Sequence, residues 1–312
     1  MPRFTSGDHE RKAAGFDAPT QLPRDEEEHR NWQIANRAWW ESAPMRYDWS
    51  EELGHSPGSE GYFREIDRRF LAAAQSFMPT RNIPFDAVIP YSELGSKDVL
   101  EVGVGQGTHA QLLASHARSF VGIDLTGAAA QMTARRLALF GIPGMVVQMD
   151  AERMGFRDRS FDYVWSWGVV HQSADTRRVL AEIHRVLRPG GRCTVMVYYR
   201  SWWNYYVSGL LRAVSQGQWR KIARLHHVSQ SATDGAIARY YKPSEWRAAT
   251  HDLFDMDLME IHGLKSDLVL LPHGRLKRFL MDLIPDAQAR FMTRHLRMGS
   301  LLVAQMRKAG SR

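Results

Sequence analysis

Val99-Leu100-Glu101-Val102-Gly103-Val104-Gly105-Gln106-Gly107-Thr108 carries the reading from which the rest of the chain can be organised. An apolar run of strand length ends in three glycines at every second position, and a helix-length segment follows. Glycine allows the sharp turn and lets a ligand approach the backbone where a Cβ would clash. A glycine loop alone does not name its ligand, because nicotinamide and flavin enzymes also use one. The dinucleotide fingerprint is G-x-G-x-x-G, with a helix N-terminus facing a pyrophosphate. Here the spacing is G-x-G-x-G, and Glu101 lies two residues before the first glycine. A carboxylate is unfavourable beside a pyrophosphate but suits an ammonium group. The competing reading of Glu101 is a strand-end carboxylate that caps nearby amides.

Outward from this loop, short apolar runs alternate with helix-length amphipathic runs. Strands are expected at Val99–Val102, Phe120–Ile123, Met145–Met149, Phe161–Trp165 and Cys193–Tyr198, with helices at Thr108–Ala117, Gly127–Phe140 and Asp175–Leu187. Such alternation predicts βαβ units and a parallel sheet covered on both faces. Arg188-Pro189-Gly190-Gly191 is expected to stop a helix and form a tight turn. The second strand ends in Asp124, where an acid can accept hydrogen bonds from both hydroxyls of a ribose. The third ends at Asp150, placed either to accept from an adenine amino group or to cap a helix.

Val-Leu-Glu-Val-Gly-x-Gly-x-Gly, Gly-Ile-Asp-Leu-Thr, Met-Asp-Ala-Glu, Ser-Phe-Asp-Tyr-Val-Trp-Ser-Trp-Gly-Val-Val-His and Arg-Val-Leu-Arg-Pro-Gly-Gly follow one another between Asp98 and Tyr199. In order and spacing these segments resemble the successive motifs of class I S-adenosylmethionine (SAM) dependent methyltransferases. Trp202–Tyr206 and the tryptophan-rich N-terminal segment resemble a bacterial subgroup of that family. The resemblance implies an α/β, Rossmann-like fold with a seven-stranded, mostly parallel sheet, helices on both faces and an antiparallel last strand. It also implies SAM as cofactor and S-adenosylhomocysteine as product. By matched position, Glu101, Gly103, Gly105, Gln106 and Gly107 would hold the methionine end. Asp124 and Leu125 would hold the ribose, Asp150 and Ala151 the adenine, and Trp167 and Gly168 would flank the sulfonium.

The flanks are less patterned. Residues 1–30 are polar and charge-rich and are expected to form a flexible tail. Residues 31–95 read as a helical lid segment, with Trp32, Trp39, Trp40 and Trp49 close together and a helix at Tyr62–Met78. Residues 96–312 read as the SAM-binding domain, with helical insertions at about 200–255 and 270–298. Within the first insertion, Trp202–Val228 looks helical, and a helix is expected at Pro243–Leu253. Within the second, helices are expected near Arg275–Leu283 and Asp286–Leu296. Met256–Ile261 and Ser300–Met306 would be the final pair of strands.

The net charge is +7, but basic residues are spread along the chain and interleaved with acids. A solvated basic surface with attraction for anionic substrates is therefore expected ahead of nucleic-acid binding. There is no apolar run long enough to cross a membrane. One cysteine, Cys193, permits no internal disulfide, and a reducing cytoplasm is the expected setting. The histidines show no metal-ligand spacing, so no metal is expected.

Methyl transfer from a sulfonium is an in-line displacement, in which the protein supplies alignment and excludes water. A base is needed where the acceptor is a hydroxyl. His171, after the fourth strand, is the candidate base; its alternative role is to pack under the cofactor and bond a backbone carbonyl. Tyr198, Tyr199 and Arg200 leave the fifth strand toward the same crevice, and Tyr198 is the candidate to orient the acceptor. Trp39, Trp40 and Tyr47 are candidates for a lid, or else ordinary core packing of an added helix. The expected acceptor is a small molecule, first a hydroxyl of a sugar or secondary metabolite. Quinone-type C-methylation stands beside it, with Trp202–Trp219 touching a membrane surface. RNA methylation is disfavoured because Ser166-Trp167-Gly168-Val169 lacks the Asn/Asp-Pro-Pro-aromatic motif and Cys193 sits mid-strand. A non-catalytic SAM-binding subunit and a nicotinamide oxidoreductase complete the alternatives; the oligomeric state is not legible.

Overall fold

The computed structural model describes residues 12–46, 52–215, 217, 225–272 and 274–310. In chain order these form α1 (Glu26–Ser42), α2 (Glu60–Gln75), α3 (Tyr91–Leu94), β1 (Asp98–Val102), α4 (Thr108–Ala114), β2 (Ser119–Asp124) and α5 (Gly127–Leu139). There follow β3 (Met145–Gln148), β4 (Phe161–Trp167), a 3₁₀ turn at Val170–Gln172, α6 (Thr176–Val186) and β5 (Leu187–Tyr199). The remainder holds a π-helical turn at Trp202–Val207, α7 (Ser208–Ser215), α8 (Leu225–Ser231), β6 (Tyr240–Tyr241), α9 (Pro243–Thr250) and β7 (Phe254–His262). The last elements are α10 (Lys265–Leu268), α11 (Arg275–Asp282), α12 (Asp286–Arg294) and β8 (Leu301–Lys308).

The strands form one sheet in the order β3-β2-β1-β4-β5-β8-β7, with the two-residue β6 beside β5. All neighbours along β3 to β5 are parallel, while β8 runs antiparallel between β5 and β7. This is the expected mostly parallel, Rossmann-like sheet, with the two-residue β6 in addition. Period-two alternation divides the core between the two faces. Leu100, Val102, Val164 and Val195 pack with α6 on one side, while Val99, Tyr163, Trp165 and Met196 pack with Phe85, Leu113 and Phe120 on the other.

Capping residues set the helix starts. Asp25 accepts from the Glu28 amide, Ser59 from Tyr62, Thr126 from Ala129, and Asp175 from Arg177 and Arg178. In α2 the residues Phe63, Ile66, Phe70 and Ala74 recur at helical spacing and are all buried.

Three expectations are corrected. Residues 12–30 are not a loose tail: Phe16 is buried edge-on against Trp32, and Lys12 Nζ donates to the carbonyls of Thr233 and Gly235. Backbone bonds from Ala13 N to Ala236 O and from Tyr240 N to Pro19 O hold the same segment, and contacts of this kind leave no periodic signal. Residues 1–11 lie outside the described residues. Arg188–Gly191 is not a turn between helix and strand, since β5 already begins at Leu187. Pairing shifts there from Phe161–Leu187 to Tyr163–Arg192, so five steps on β5 span two on β4. Gly190, at φ +72°, takes the bulge, because Pro189 has no N–H to give the ladder. The helix expected from Trp202 to Val228 divides into the π-turn, α7 and α8, and Trp219 and Ile222 lie outside the described residues. No helix among the described residues is long and apolar enough to cross a membrane.

Candidate functional site

The carboxyl ends of β1, β2, β3 and β4 open into one cleft of 2260 Å³. Small-molecule sites usually occupy roughly 300–1,000 Å³. The cleft therefore has room for a cofactor and a second, sizeable molecule.

Its first half is built on the glycine loop. Gly103, Gly105 and Gly107 have φ of +81°, +53° and +82°, values at which a side chain would be strained. At Gly103 a Cβ would stand 2.1 Å from Val169 Cγ2, so glycine is needed for β1 to pass under the segment after β4. At Gly105 a Cβ would meet nothing within 4 Å, and the loop backbone faces open cleft there. Asp124 braces the loop: Oδ2 accepts from Gly105 N at 3.1 Å, and Oδ1 from the amide and hydroxyl of Thr126. Burial pushes the Asp124 carboxyl above its ordinary range. Behind the loop, buried Arg136 donates to Gln106 O, Gln111 Oε1 and Asp67 Oδ2, which ties α2, α4 and α5 together. Tyr62 donates its hydroxyl to Gln106 Oε1 at 3.0 Å.

Glu101 differs from the other expected cofactor residues. Gly103, Gly105, Gln106, Gly107, Asp124, Leu125, Asp150, Ala151, Trp167 and Gly168 all line the cleft, whereas Glu101 lies buried beneath the loop. Its Oε2 is buried without a hydrogen-bond partner. Burial, then the neighbouring Asp124, holds its carboxyl well above the ordinary value; Arg136 acts in the opposite sense. A buried carboxylate oxygen with no protein donor, two residues before the first loop glycine, leaves an acceptor suited to an ammonium, which reaches it from the cleft only if the glycine loop shifts, because Glu101 is not on the cleft wall. The cradle is thus suited to an amino-acid-bearing nucleoside such as SAM.

The N-terminal segment contributes residues that sequence reasoning did not single out. Gln33 and Asn36, one helical turn apart on α1, both line the cleft. Gln33 Nε2 donates to Asp150 Oδ2 at 2.7 Å, while Gln33 Oε1 and Asn36 Oδ1 remain buried without partners. The other Asp150 oxygen accepts from the Glu152 amide. Glu152 in turn meets His29 Nε2 at 2.5 Å and accepts from Asp175 N. The only signal in the sequence was an i, i+3 polar pair inside a tryptophan-rich helix. Of the expected lid aromatics, Trp40 lines the cleft, Trp39 is buried in the core, and Tyr47 lies outside the described residues.

After β4, Trp167 stacks on Trp165 with ring centroids 5.3 Å apart, and Gly168 takes φ +78°. His109, on the cleft wall beside both rings, has its pKa lowered to about 3 by burial and then by Arg136. His171 is wholly buried and does not line the cleft. Its ring lies 4.0 Å from the ring of Tyr198, and burial, then Arg239, lowers its pKa to about 3. The structure therefore separates the two expected catalytic residues, with Tyr198 on the wall and His171 behind it.

The second half of the cleft is lined by the π-turn, α7 and α8 and by the segment from Leu264 to Met281. Tyr198, Tyr199, Tyr205 and Tyr240 form one wall, and Leu211, Val269, Leu270, Leu271 and Met281 supply apolar surface. Asp267 lies there with its pKa pushed up to about 6 by burial and accepts from Ser300 Oγ at 2.7 Å. Lys277, nearly buried, offsets part of that shift. Cys193 is a buried free thiol in β5, away from this cleft. Among the described residues no group of three His, Cys, Asp or Glu is clustered so as to hold a metal ion.

Comparison with known proteins places the same segment. Residues 100–195 match the family model described as a methyltransferase domain. The phthiotriol/phenolphthiotriol dimycocerosates methyltransferase of Mycobacterium tuberculosis (strain ATCC 25177 / H37Ra) is 43% identical over 101 residues, 32% of this chain and 37% of that protein. The ubiquinone/menaquinone biosynthesis C-methyltransferase of Desulfotalea psychrophila is 35% identical over 148 residues, 46% of this chain and 59% of that protein. In both cases the match spans less than two thirds of the relative's length. The crystal structure of geranyl diphosphate C-methyltransferase from Streptomyces coelicolor A3(2) aligns with a TM-score of 0.51 at 14% identity, over 89% of this chain and 97% of that one. That likeness speaks to the fold. The glycine loop, the acids after β2 and β3 and the family match together identify residues 100–195 as a methyltransferase domain of the class I, SAM-dependent kind.

Proposed function

We propose that the protein transfers a methyl group from SAM to a small, largely apolar acceptor, most simply at a hydroxyl of a secondary metabolite or lipid. The observation that carries this reading is the continuity of one cleft from the glycine loop to the tyrosine-walled, apolar end. A cofactor half alone would suit a SAM-binding subunit; the second half gives an acceptor somewhere to sit. A sugar is less well matched to Leu211, Val269, Leu270, Leu271 and Met281, because burying its hydroxyls against them leaves hydrogen bonds unmade.

SAM, when bound, supplies a methyl group on a sulfonium, ready for in-line displacement. The chain's part is to orient and to exclude water. Glu101 would take the ammonium and Asp124 the ribose, while Asp150, steadied by Gln33, would face the adenine. Trp167 and Gly168 would border the reacting end. Tyr198 would direct its hydroxyl at the acceptor oxygen, and His171 would hold the Tyr198 ring as a positioning residue. Neutral at physiological pH and sealed from the cleft, His171 is not placed to take the acceptor's proton, which would pass instead to Asp267, the carboxylate lining the acceptor half of the cleft.

A second reading, quinone C-methylation, draws support from the aromatic wall and from the similarity to the ubiquinone/menaquinone C-methyltransferase. The test is transfer of radiolabelled methyl from SAM to three panels: hydroxylated or carboxylated lipids, demethylated quinones, and sugars. Turnover confined to the first panel supports the proposal. Turnover of quinones alone selects the second reading, and turnover of sugars alone overturns both. SAM bound without transfer to any panel would leave a binding subunit.

A further inference from the structure

Helix α11 is inverted relative to a helix that faces water. Leu276, Phe279 and Leu283, at i, i+3 and i+7, are 62%, 59% and 61% exposed, whereas Lys277 between them is 8% exposed. The apolar stripe points outward and the lysine points in, toward Asp267. A solvated helix buries the first and exposes the second. Phe291 on α12 is 54% exposed. Nearby, Trp202 donates its indole N–H to Leu296 O at 2.9 Å, and both side chains are about half exposed. Exposed apolar groups on this scale need a partner.

Two further observations identify what kind. First, the charge is one-sided: between residues 275 and 297 there are six basic residues and two acids, and four basic residues remain once Lys277, turned toward Asp267, and Arg294, paired with Glu260, are set aside. One of the acids, Asp286, is already paired with Lys265 at 2.6 Å. Arg275, Arg278 and Arg297 are exposed among the apolar groups. A second copy of this face would set like charges against each other, whereas an anionic lipid surface complements them and an interfacial helix on a bilayer combines Leu and Phe with Arg and Lys. Second, α11 also lines the acceptor half of the cleft, through Lys277, Arg278 and Met281, together with Leu211 and Arg212 of α7.

We infer that the α11 face seats on a bilayer containing anionic lipid, with Leu276, Phe279 and Leu283 inserted and the flanking arginines at the headgroups, so that the cleft mouth meets the membrane. A lipid-soluble acceptor would then enter without crossing water. The contact goes beyond the proposed reaction and is read without any turnover.

The test is co-sedimentation of the purified chain with two kinds of vesicle, phosphatidylcholine alone and phosphatidylcholine with a third phosphatidylglycerol. Binding to the mixed vesicles is expected, weaker binding to the neutral ones, and a loss as salt rises. The double variant Leu276→Ser, Phe279→Ser should lower partitioning on the order of a hundredfold. SAM binding by calorimetry and the circular dichroism spectrum should not change. Arg275→Gln with Arg297→Gln should weaken binding to the mixed vesicles alone. Three results overturn the inference: no binding to either vesicle, vesicle binding that the serine variant retains, or a dimer by sedimentation velocity that the same variant abolishes. The last would mean that a second copy covers this face. Loss of SAM binding in the unaltered chain would instead overturn the proposed function and leave the membrane reading standing.

Discussion

Replacing Glu101 by glutamine should have opposite effects on the empty and the loaded protein. In the empty protein the Glu101 carboxylate is buried, with Oε2 lacking any donor and Asp124 close by. A buried, unpaired polar atom costs about 1–3 kcal/mol. Glutamine keeps the shape and removes the charge, so the empty variant should be more stable by about that amount at pH 8. At roughly 2–4 °C per kcal/mol, the melting temperature should rise by about 2–12 °C. The sign depends on pH. The folded-state pKa is raised above the ordinary 4.5, so the folded protein binds more protons than the unfolded chain between those two values. Stability due to protonated Glu101 is fully present below about pH 4.5 and is lost as pH rises toward the folded-state pKa. The gain from glutamine should therefore vanish near pH 4 and be complete at alkaline pH. The loaded protein should respond the other way. Losing a charge-assisted hydrogen bond to the cofactor ammonium costs about 1.5–3 kcal/mol, or roughly 10–150-fold in Kd. Scanning calorimetry across pH 4–9 and titration calorimetry with SAM measure the two effects. A melting-temperature difference that does not vary with pH, or a Kd within twofold of the unaltered protein, would refute the assignment of Glu101 to the ammonium.

Other outcomes follow from the same geometry. Gln33→Ala with Asn36→Ala should weaken SAM binding about tenfold through loss of the α1 contacts to the adenine side, while the denaturation midpoint moves little. Arg136→Met removes the ion-pair partner of Asp67, which keeps the Thr108 hydroxyl as donor, and urea unfolding should show a loss of about 1.5–3 kcal/mol. Tyr198→Phe should lower kcat/KM for the acceptor by at least about tenfold with SAM affinity unchanged, as read by steady-state kinetics against calorimetry. Because His171 and His109 protonate only near pH 3, the pH–rate profile between 5 and 9 should carry no step from either, and His171→Phe should leave its shape unaltered.

Much of this molecule is legible in short windows of its sequence. Alternating strand and helix periods between Asp98 and Tyr199 determine the βαβ units, since two-fold and 3.6-fold burial patterns are local properties. The G-x-G-x-G spacing determines where the backbone turns, and the acids after β2 and β3 follow from where the strands end. All but one of the expected cofactor residues line the cleft for that reason. The exception, Glu101, is buried within β1 and off the cleft lining.

Tertiary packing alone decided the rest. Gln33 reaches Asp150 across 117 residues of chain, and no periodicity in α1 encodes that meeting. His171 looked like a base at the end of β4, but the backbone turn at Val170–Gln172 and the contact with Tyr198 carry it behind the wall. The insertion of β8 between β5 and β7 pairs β8 with a strand more than a hundred residues before it, and residues of both α7 and α11 line one cleft. Propensity and turn chemistry act over a few residues, whereas these placements depend on which buried surfaces fit together once the sheet has closed.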